Sequence, residues 1–187
     1  MKTRVATRVA TRVATRAAAR EPTALAKIQL LMLDVDGVLT DGLLYFSARG
    51  ETLKSFHVRD GHGIKLVMQS GVEVAVASGR RSAAVTARVR ELGVRHVAQG
   101  CDDKVRALLD LTRRLGVDPL AAACLVDDTS DLPLMAAVGF AAAVADAHPL
   151  VRSAAHWVSK ASGGRGAVRE LCDALLRARS VLGRGTR

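Results

Sequence analysis

Short apolar runs alternate with longer amphipathic stretches along most of this chain. The short runs at residues 28–34, 72–77, 95–98, 122–126 and 141–144 predict strands. Between and after them, polar and apolar positions recur at helical spacing over residues 80–92, 102–115, 132–138 and 167–182. Gly93 and Gly116 stop the first two of these helices. Asp60 is expected to cap a further helix running to about Gln69, and Asp118 followed by Pro119 reads as an N-cap with proline at N1. Residues 43–57 predict a β-hairpin turning around Ala48-Arg49-Gly50. Short strands that alternate with helices make an α/β fold whose parallel sheet is covered on both faces, a three-layer arrangement.

The apolar fraction, 49% of 187 residues, supports one domain with a real core, built from Val, Leu and Ala because aromatics are only 3%. So few aromatics argue against a base-stacking nucleic-acid surface. The division expected is a basic repeat tail over residues 1–22, a folded domain over 23–182 and a short tail over 183–187. The formal charge of +10 changes little, because +6 of it sits on Lys2, Arg4, Arg8, Arg12, Arg16 and Arg20. Within that tail Thr-Arg-Val-Ala occurs three times from Thr3, and it reads as a disordered extension. A basic arm for anionic polymer or membrane is the alternative, and its Arg-rich, acid-free character also resembles a transit peptide. Cys101, Cys124 and Cys172 are far apart and fit a reduced intracellular protein. The histidines show no zinc-ligand pattern, and no apolar run approaches a membrane span. The cytoplasm is the expected setting, with neither a nucleic acid nor a membrane as partner.

Chemistry gathers at the ends of the predicted strands. Asp34 and Asp36 close the first, one residue apart, so both project to one side of extended backbone, and Gly37 then lets the chain turn. Ser78, in Ala77-Ser78-Gly79-Arg80, follows the strand at 72–77, where a hydroxyl and N–H groups at a helix start suit a phosphate oxygen. Lys104 opens a helix after Gly100, and Asp127-Asp128-Thr129-Ser130-Asp131 closes the strand at 122–126. Taken singly, these read as an acidic turn, a helix entry, a solvated lysine and capping acids. Together they suit a Mg²⁺ and phosphoryl site, since Mg²⁺ takes hard oxygen ligands and lysine is a compact charge for phosphate.

The order DxDG, Ser, Lys, DDxxD resembles that of the haloacid dehalogenase superfamily of aspartate-based phosphatases. Within it the chain is similar to the 3-deoxy-D-manno-octulosonate 8-phosphate phosphatase family over about residues 28–180. The likeness is carried by residues 34–42, by Val58-Arg59-Asp60-Gly61, by Ala145-Asp146-Ala147-His148-Pro149 and by Gly163-Gly164-Arg165-Gly166-Ala167-Val168-Arg169-Glu170. It implies a Rossmann-like sheet with a β-hairpin flap after strand one and no large cap domain.

The resemblance implies Mg²⁺-dependent hydrolysis of the 8-phosphate, in lipopolysaccharide precursor synthesis. Asp34 would be the nucleophile that forms an aspartyl-phosphate, and Asp36 the acid and then the base. Mg²⁺ would be held by Asp34, the carbonyl of Asp36, and Asp127. Ser78 and Lys104 would bind the phosphoryl group, with Asp128 and Asp131 orienting metal waters or the lysine. His57, Val58, Arg59, Asp60, Gly61, Lys65, Arg80 and Arg88 would line the sugar-acid pocket, and Arg165 would ride a mobile tail reaching an adjacent site. Members of this layout form homotetramers through the hairpin, with a neighbouring subunit closing each site. Three positions depart from the family pattern: Val126 where glycine is usual, His57 where asparagine is common and Lys65 where arginine is common. Valine at 126 is expected to crowd the metal loop without loss of function. Alternatives are a phosphatase for sialic-acid-type 9-phosphates, and a catalytically silent oligomeric partner of a sugar-activating enzyme.

Overall fold

A computed structural model describes residues 21–48 and 50–184. The repeat tail up to residue 20, the expected hairpin-turn residue Arg49 and residues 185–187 therefore lie outside the described residues. Six parallel strands form one sheet in the order β5-β4-β1-β6-β7-β8. They are β1 (Leu30–Leu33), β4 (Glu73–Ser78), β5 (His96–Gln99), β6 (Ala122–Val126), β7 (Phe140–Ala143) and β8 (Trp157–Val158). Beside this sheet, β2 (Tyr45–Ser47) and β3 (Gly50–Leu53) pair antiparallel as a separate hairpin. The helices are α1 (Glu21–Ala26), α2 (Val58–Gln69), α3 (Ala83–Leu92), α4 (Lys104–Leu115), α5 (Leu132–Ala137), α6 (Pro149–Ala154) and α7 (Ala167–Arg184). None of the described helices is long and apolar enough to cross a membrane.

The central strands form where they do because both faces are covered. Every residue of β1, β6 and β7 is buried, as their unbroken apolar runs demand. Leu33 of β1 aligns with Val76 of β4 on one side and Leu125 of β6 on the other. That register brings the C-terminal ends of β1, β4 and β6 to one edge, together with the residues that follow them. Helix α7 packs on α1 and α2, while α4 packs on α5 and α5 on α6.

Several boundaries move for identifiable reasons. Ser78 belongs to β4, and α3 begins only at Ala83, because the Ser82 N–H is taken by the Gln99 side chain at 2.8 Å. Asp60 does not cap its own helix. It lies inside α2, is 1% exposed, and accepts the N–H groups of Gly166 (3.3 Å) and Arg169 (2.8 Å), so it caps α7 instead. Helices α1 and α6 and strand β8 were not anticipated. Val126 is fully buried and aligns with Ala143 of β7, so its bulk lies against a small neighbour.

Candidate active site

Strand β1 hands directly into the site. The Asp34 N–H still bonds to Leu125 O (3.2 Å), and the chain then makes a wide turn, Val35–Leu39, closed by Thr40 N–H to Val35 O at 3.0 Å. Gly37 lies at φ 80°, and a Cβ there would overlap the Asp127 carboxylate, so glycine serves both the turn and the approach of β6. From outside, the loop before α7 clamps this turn. The Gly164 N–H bonds to Val38 O at 2.9 Å, and a Cβ on Gly163 would overlap Gly37 O. The Gly163 N–H in turn bonds to Asp146 Oδ1 at 2.9 Å, which gives the Ala145-Asp146-Ala147-His148-Pro149 segment a structural task.

A cavity of about 400 Å³ opens at this sheet edge, lined among others by Asp34, Asp36, Ser78, Lys104, Asp127 and Asp131, with Asp128 at its rim. Lys104, first residue of α4, bridges Asp34 Oδ1 at 2.9 Å and Asp131 Oδ1 at 2.7 Å. Burial works against its ammonium, but those two carboxylates outweigh it and hold the Lys104 pKa above the ordinary lysine value. Ser78 Oγ accepts the Arg80 N–H at 3.1 Å, which leaves its hydroxyl proton to donate elsewhere. The expected helix start at Ser78 is absent, so its neighbouring N–H groups belong to a turn and not to a helix end. Asp36 sits between two cations: the buried Lys54 ammonium contacts its Oδ1, and Arg80 Nε lies 4.0 Å from Oδ2.

The donor set fits a divalent cation. One oxygen each from Asp34, Asp127 and Asp131 lie within 4.8 Å of one another. Three acids face the single Lys104, and Asp131 Oδ2 is buried without a hydrogen-bond donor among the described residues. Burial raises Asp34 despite Lys104; burial and then the Asp34 charge push Asp127 up to about 8 and Asp131 to about 6. Crowded carboxylates of this kind become mutually compatible when a hard cation sits among them.

The remaining expected site residues are placed elsewhere. His57, Asp60, Gly61 and Arg88 line a second, much smaller cavity with Leu39, Phe56 and Ile64. Val58, Arg59 and Lys65 are exposed on α2. Arg165 pairs with Asp41 on the outside of the turn at 3.1 Å, against the same subunit's nucleophile loop. Arg80 alone of the expected pocket cations other than Lys104 comes beside a cavity carboxylate. Sequence reasoning missed Lys54, Cys101 and Asp102. Lys54 gave little signal, since a lone lysine near a hairpin is ordinarily solvated; its place one step from Leu53 and two from Phe56 was the only hint.

Comparison with known proteins agrees with this geometry. The family model for haloacid dehalogenase-like hydrolases matches residues 97–171. The 3-deoxy-D-manno-octulosonate 8-phosphate phosphatase of Yersinia pestis is 48% identical over 157 residues, 84% of each chain. The cobalt-bound deoxy-D-mannose-octulosonate 8-phosphate phosphatase of Haemophilus influenzae superposes with a TM-score of 0.82 at 44% identity, covering 84% of this chain and 92% of that one. The Moraxella catarrhalis 3-deoxy-D-manno-octulosonate 8-phosphate phosphatase, in complex with magnesium, phosphate and KDO, gives a TM-score of 0.82 at 36% identity, covering 89% and 97%. With that extent of likeness and this arrangement of acids around one lysine, the chain belongs to the 3-deoxy-D-manno-octulosonate 8-phosphate phosphatase family of haloacid dehalogenase-like hydrolases.

Proposed function

We propose that this chain hydrolyses 3-deoxy-D-manno-octulosonate 8-phosphate to the free sugar acid and phosphate. The observation that carries the reading is the single cavity holding Asp34, Asp36, Ser78, Lys104 and Asp127 together. An Asp34 oxygen attacks phosphorus as the bond to the sugar oxygen breaks, and Asp36 delivers a proton to that leaving oxygen. Water then attacks the aspartyl-phosphate, Asp36 takes its proton, and the bond from Asp34 to phosphorus breaks. Lys104, held by Asp34 and Asp131, and the Ser78 hydroxyl bind the equatorial phosphoryl oxygens. Asp34, Asp127 and the carbonyl of Asp36 would hold Mg²⁺, with Asp131 beside them and Asp128 at the rim. When bound, the ion neutralises charge on the phosphoryl group.

The names of the relatives favour the eight-carbon substrate over a nine-carbon one, and the complete acid set argues against a silent partner. The exposed cations Arg59, Lys65 and Arg80 suit a sugar carboxylate once a second subunit faces them. That assembly belongs to the same reading: a homotetramer joined through the hairpin, whose Leu43, Leu44, Tyr45, Phe46 and Leu53 are all 43–63% exposed. A cytoplasmic setting is supported by three free cysteines.

The test is phosphate release from 3-deoxy-D-manno-octulosonate 8-phosphate with and without Mg²⁺, in the wild type and Asp34→Asn. Metal-dependent turnover well above that on a generic ester, abolished by Asp34→Asn, is expected. Full turnover by Asp34→Asn would falsify the assigned chemistry.

A further inference from the structure

Lys54 is the least expected feature of the site. It directly follows β3, and its side chain is only 1% exposed. Lysine is among the residues least often buried, and a buried ammonium needs a partner. Its ammonium contacts Asp36 Oδ1, and Arg80 Nε approaches the other oxygen at 4.0 Å. Arg80 in turn lies over the ring of Phe46 in β2, 6.0 Å from its centroid. Both cations that flank Asp36 are thus tied to the hairpin.

The carboxylates divide accordingly. Asp34, Asp127 and Asp131 converge with Lys104, whereas the Asp36 side chain is not part of that convergence among the described residues. An acid two residues from Asp34, in a cavity suited to a divalent cation, would otherwise be drawn into the same cluster. Resting on the phosphatase reading above, we infer that Lys54 is a positioning residue: it holds the Asp36 carboxylate apart from the metal cluster and aimed at the leaving-group oxygen. Lys54 touches no reacting atom, and its effect passes through Asp36.

A positioning role makes a prediction that general damage does not. In the first half-reaction the bond from Asp34 to phosphorus forms, the bond from phosphorus to the leaving oxygen breaks, and the proton on Asp36 moves to that oxygen. An alkyl phosphate needs this proton. A nitrophenyl phosphate does not, because nitrophenolate leaves as the anion. In the second half-reaction water supplies the oxygen and Asp36 accepts its proton, whatever the leaving group was.

The experiment compares wild type, Lys54→Met and Lys54→Arg with Mg²⁺, on the sugar-acid 8-phosphate and on p-nitrophenyl phosphate, by stopped flow and steady state. For Lys54→Met the expected result is a nitrophenolate burst of one equivalent per site at near wild-type rate, then slow turnover. Turnover of the alkyl phosphate should fall by about 10²- to 10⁴-fold, the range for losing a general acid–base, with no burst. Lys54→Arg should recover part of the loss, and it carries the same comparison if Lys54→Met does not fold. Equal loss in the aryl burst and the alkyl turnover, or no loss in either, would overturn the inference. Wild type inactive on both substrates would overturn the phosphatase reading, and this inference with it.

Discussion

Gly37 places two demands on one Cα. Its φ of 80° is a conformation that costs an L-residue roughly 1–2 kcal/mol. Its α-hydrogen also faces the Asp127 carboxylate where a methyl group would overlap it. Gly37→Ala therefore strains the turn and displaces a metal-ligand candidate in one step. Adding Mg²⁺ at about 100 times its Kd should stabilise the wild type by ~2.7 kcal/mol by mass action. The variant is expected to keep its fold, unfold at lower temperature, and lose most of that Mg²⁺-dependent gain. Thermal denaturation with Mg²⁺ and with a chelator reads both effects, and a full gain in the variant would show that Asp127 does not depend on Gly37. At this scale the sequence was informative about acids and silent about partners. Asp34, Asp36 and Asp127 stood out only in company: each alone reads as an acidic turn or a cap, but acids, a hydroxyl and a lysine at successive strand ends do not. Lys54 did not, because only the folded chain brings it to Asp36. Val126 was expected to crowd the metal loop; the structure places it buried at the end of β6, in register with Ala143 of the adjacent strand.

Elements were legible where burial leaves a periodic trace. Strands β1, β6 and β7 are buried throughout, so their apolar runs predicted them to within two residues at either end. Strand β8 has two residues, too few for a period to emerge. The start of α3 is set by Gln99, seventeen residues away, and no local rule reports that. Asp60 shows the same limit: its place near a helix start suggested a cap, but the helix it caps is α7. Its carboxylate takes the N–H groups of Gly166 and Arg169, and burial, opposed by those two bonds, raises its pKa. Asp60→Ala leaves the half-buried N–H groups of Gly166 and Arg169 at the start of α7 without this acceptor, a loss of about 0.5–2 kcal/mol, the range for losing a cap. Because the loop that ends in Gly166 also clamps the turn at Val38, the loss should reach the site. Urea denaturation should show the drop in stability, and hydrogen exchange should show faster exchange at Gly164 and Arg169. Unchanged exchange at Gly164 would mean that cap and clamp are independent.

At the scale of the molecule, the hairpin is the element the isolated chain does not explain. Among the described residues it pairs only with itself, and Leu43, Phe46 and Leu53 are 57%, 63% and 57% exposed. Apolar surface of this kind on a two-stranded ribbon, which is marginal alone, is stabilised by burial against something else. Its other ends are already committed to the site, through Lys54 on Asp36 and Phe46 beneath Arg80. A second copy that covered the hairpin would thus fix the same segment that holds Asp36. Leu53→Glu keeps the hairpin's backbone pairing with Tyr45 and puts a charge on its exposed side, so it tests this coupling with little effect on the core. Sedimentation should find the wild type at four times the 19.7 kDa chain mass and Leu53→Glu near that mass itself. Burying a leucine is worth about 1.5–3 kcal/mol, and a tetramer repeats the loss in every subunit, so one substitution suffices to shift the equilibrium. If a neighbouring copy faces Arg59 and Lys65 in the proposed tetramer, turnover of the sugar-acid phosphate should then fall through a higher KM. The aryl-phosphate burst should persist, because Asp34 and Lys104 belong to one subunit. A monomeric variant with unchanged KM would separate assembly from substrate recognition and leave the hairpin a purely structural contact.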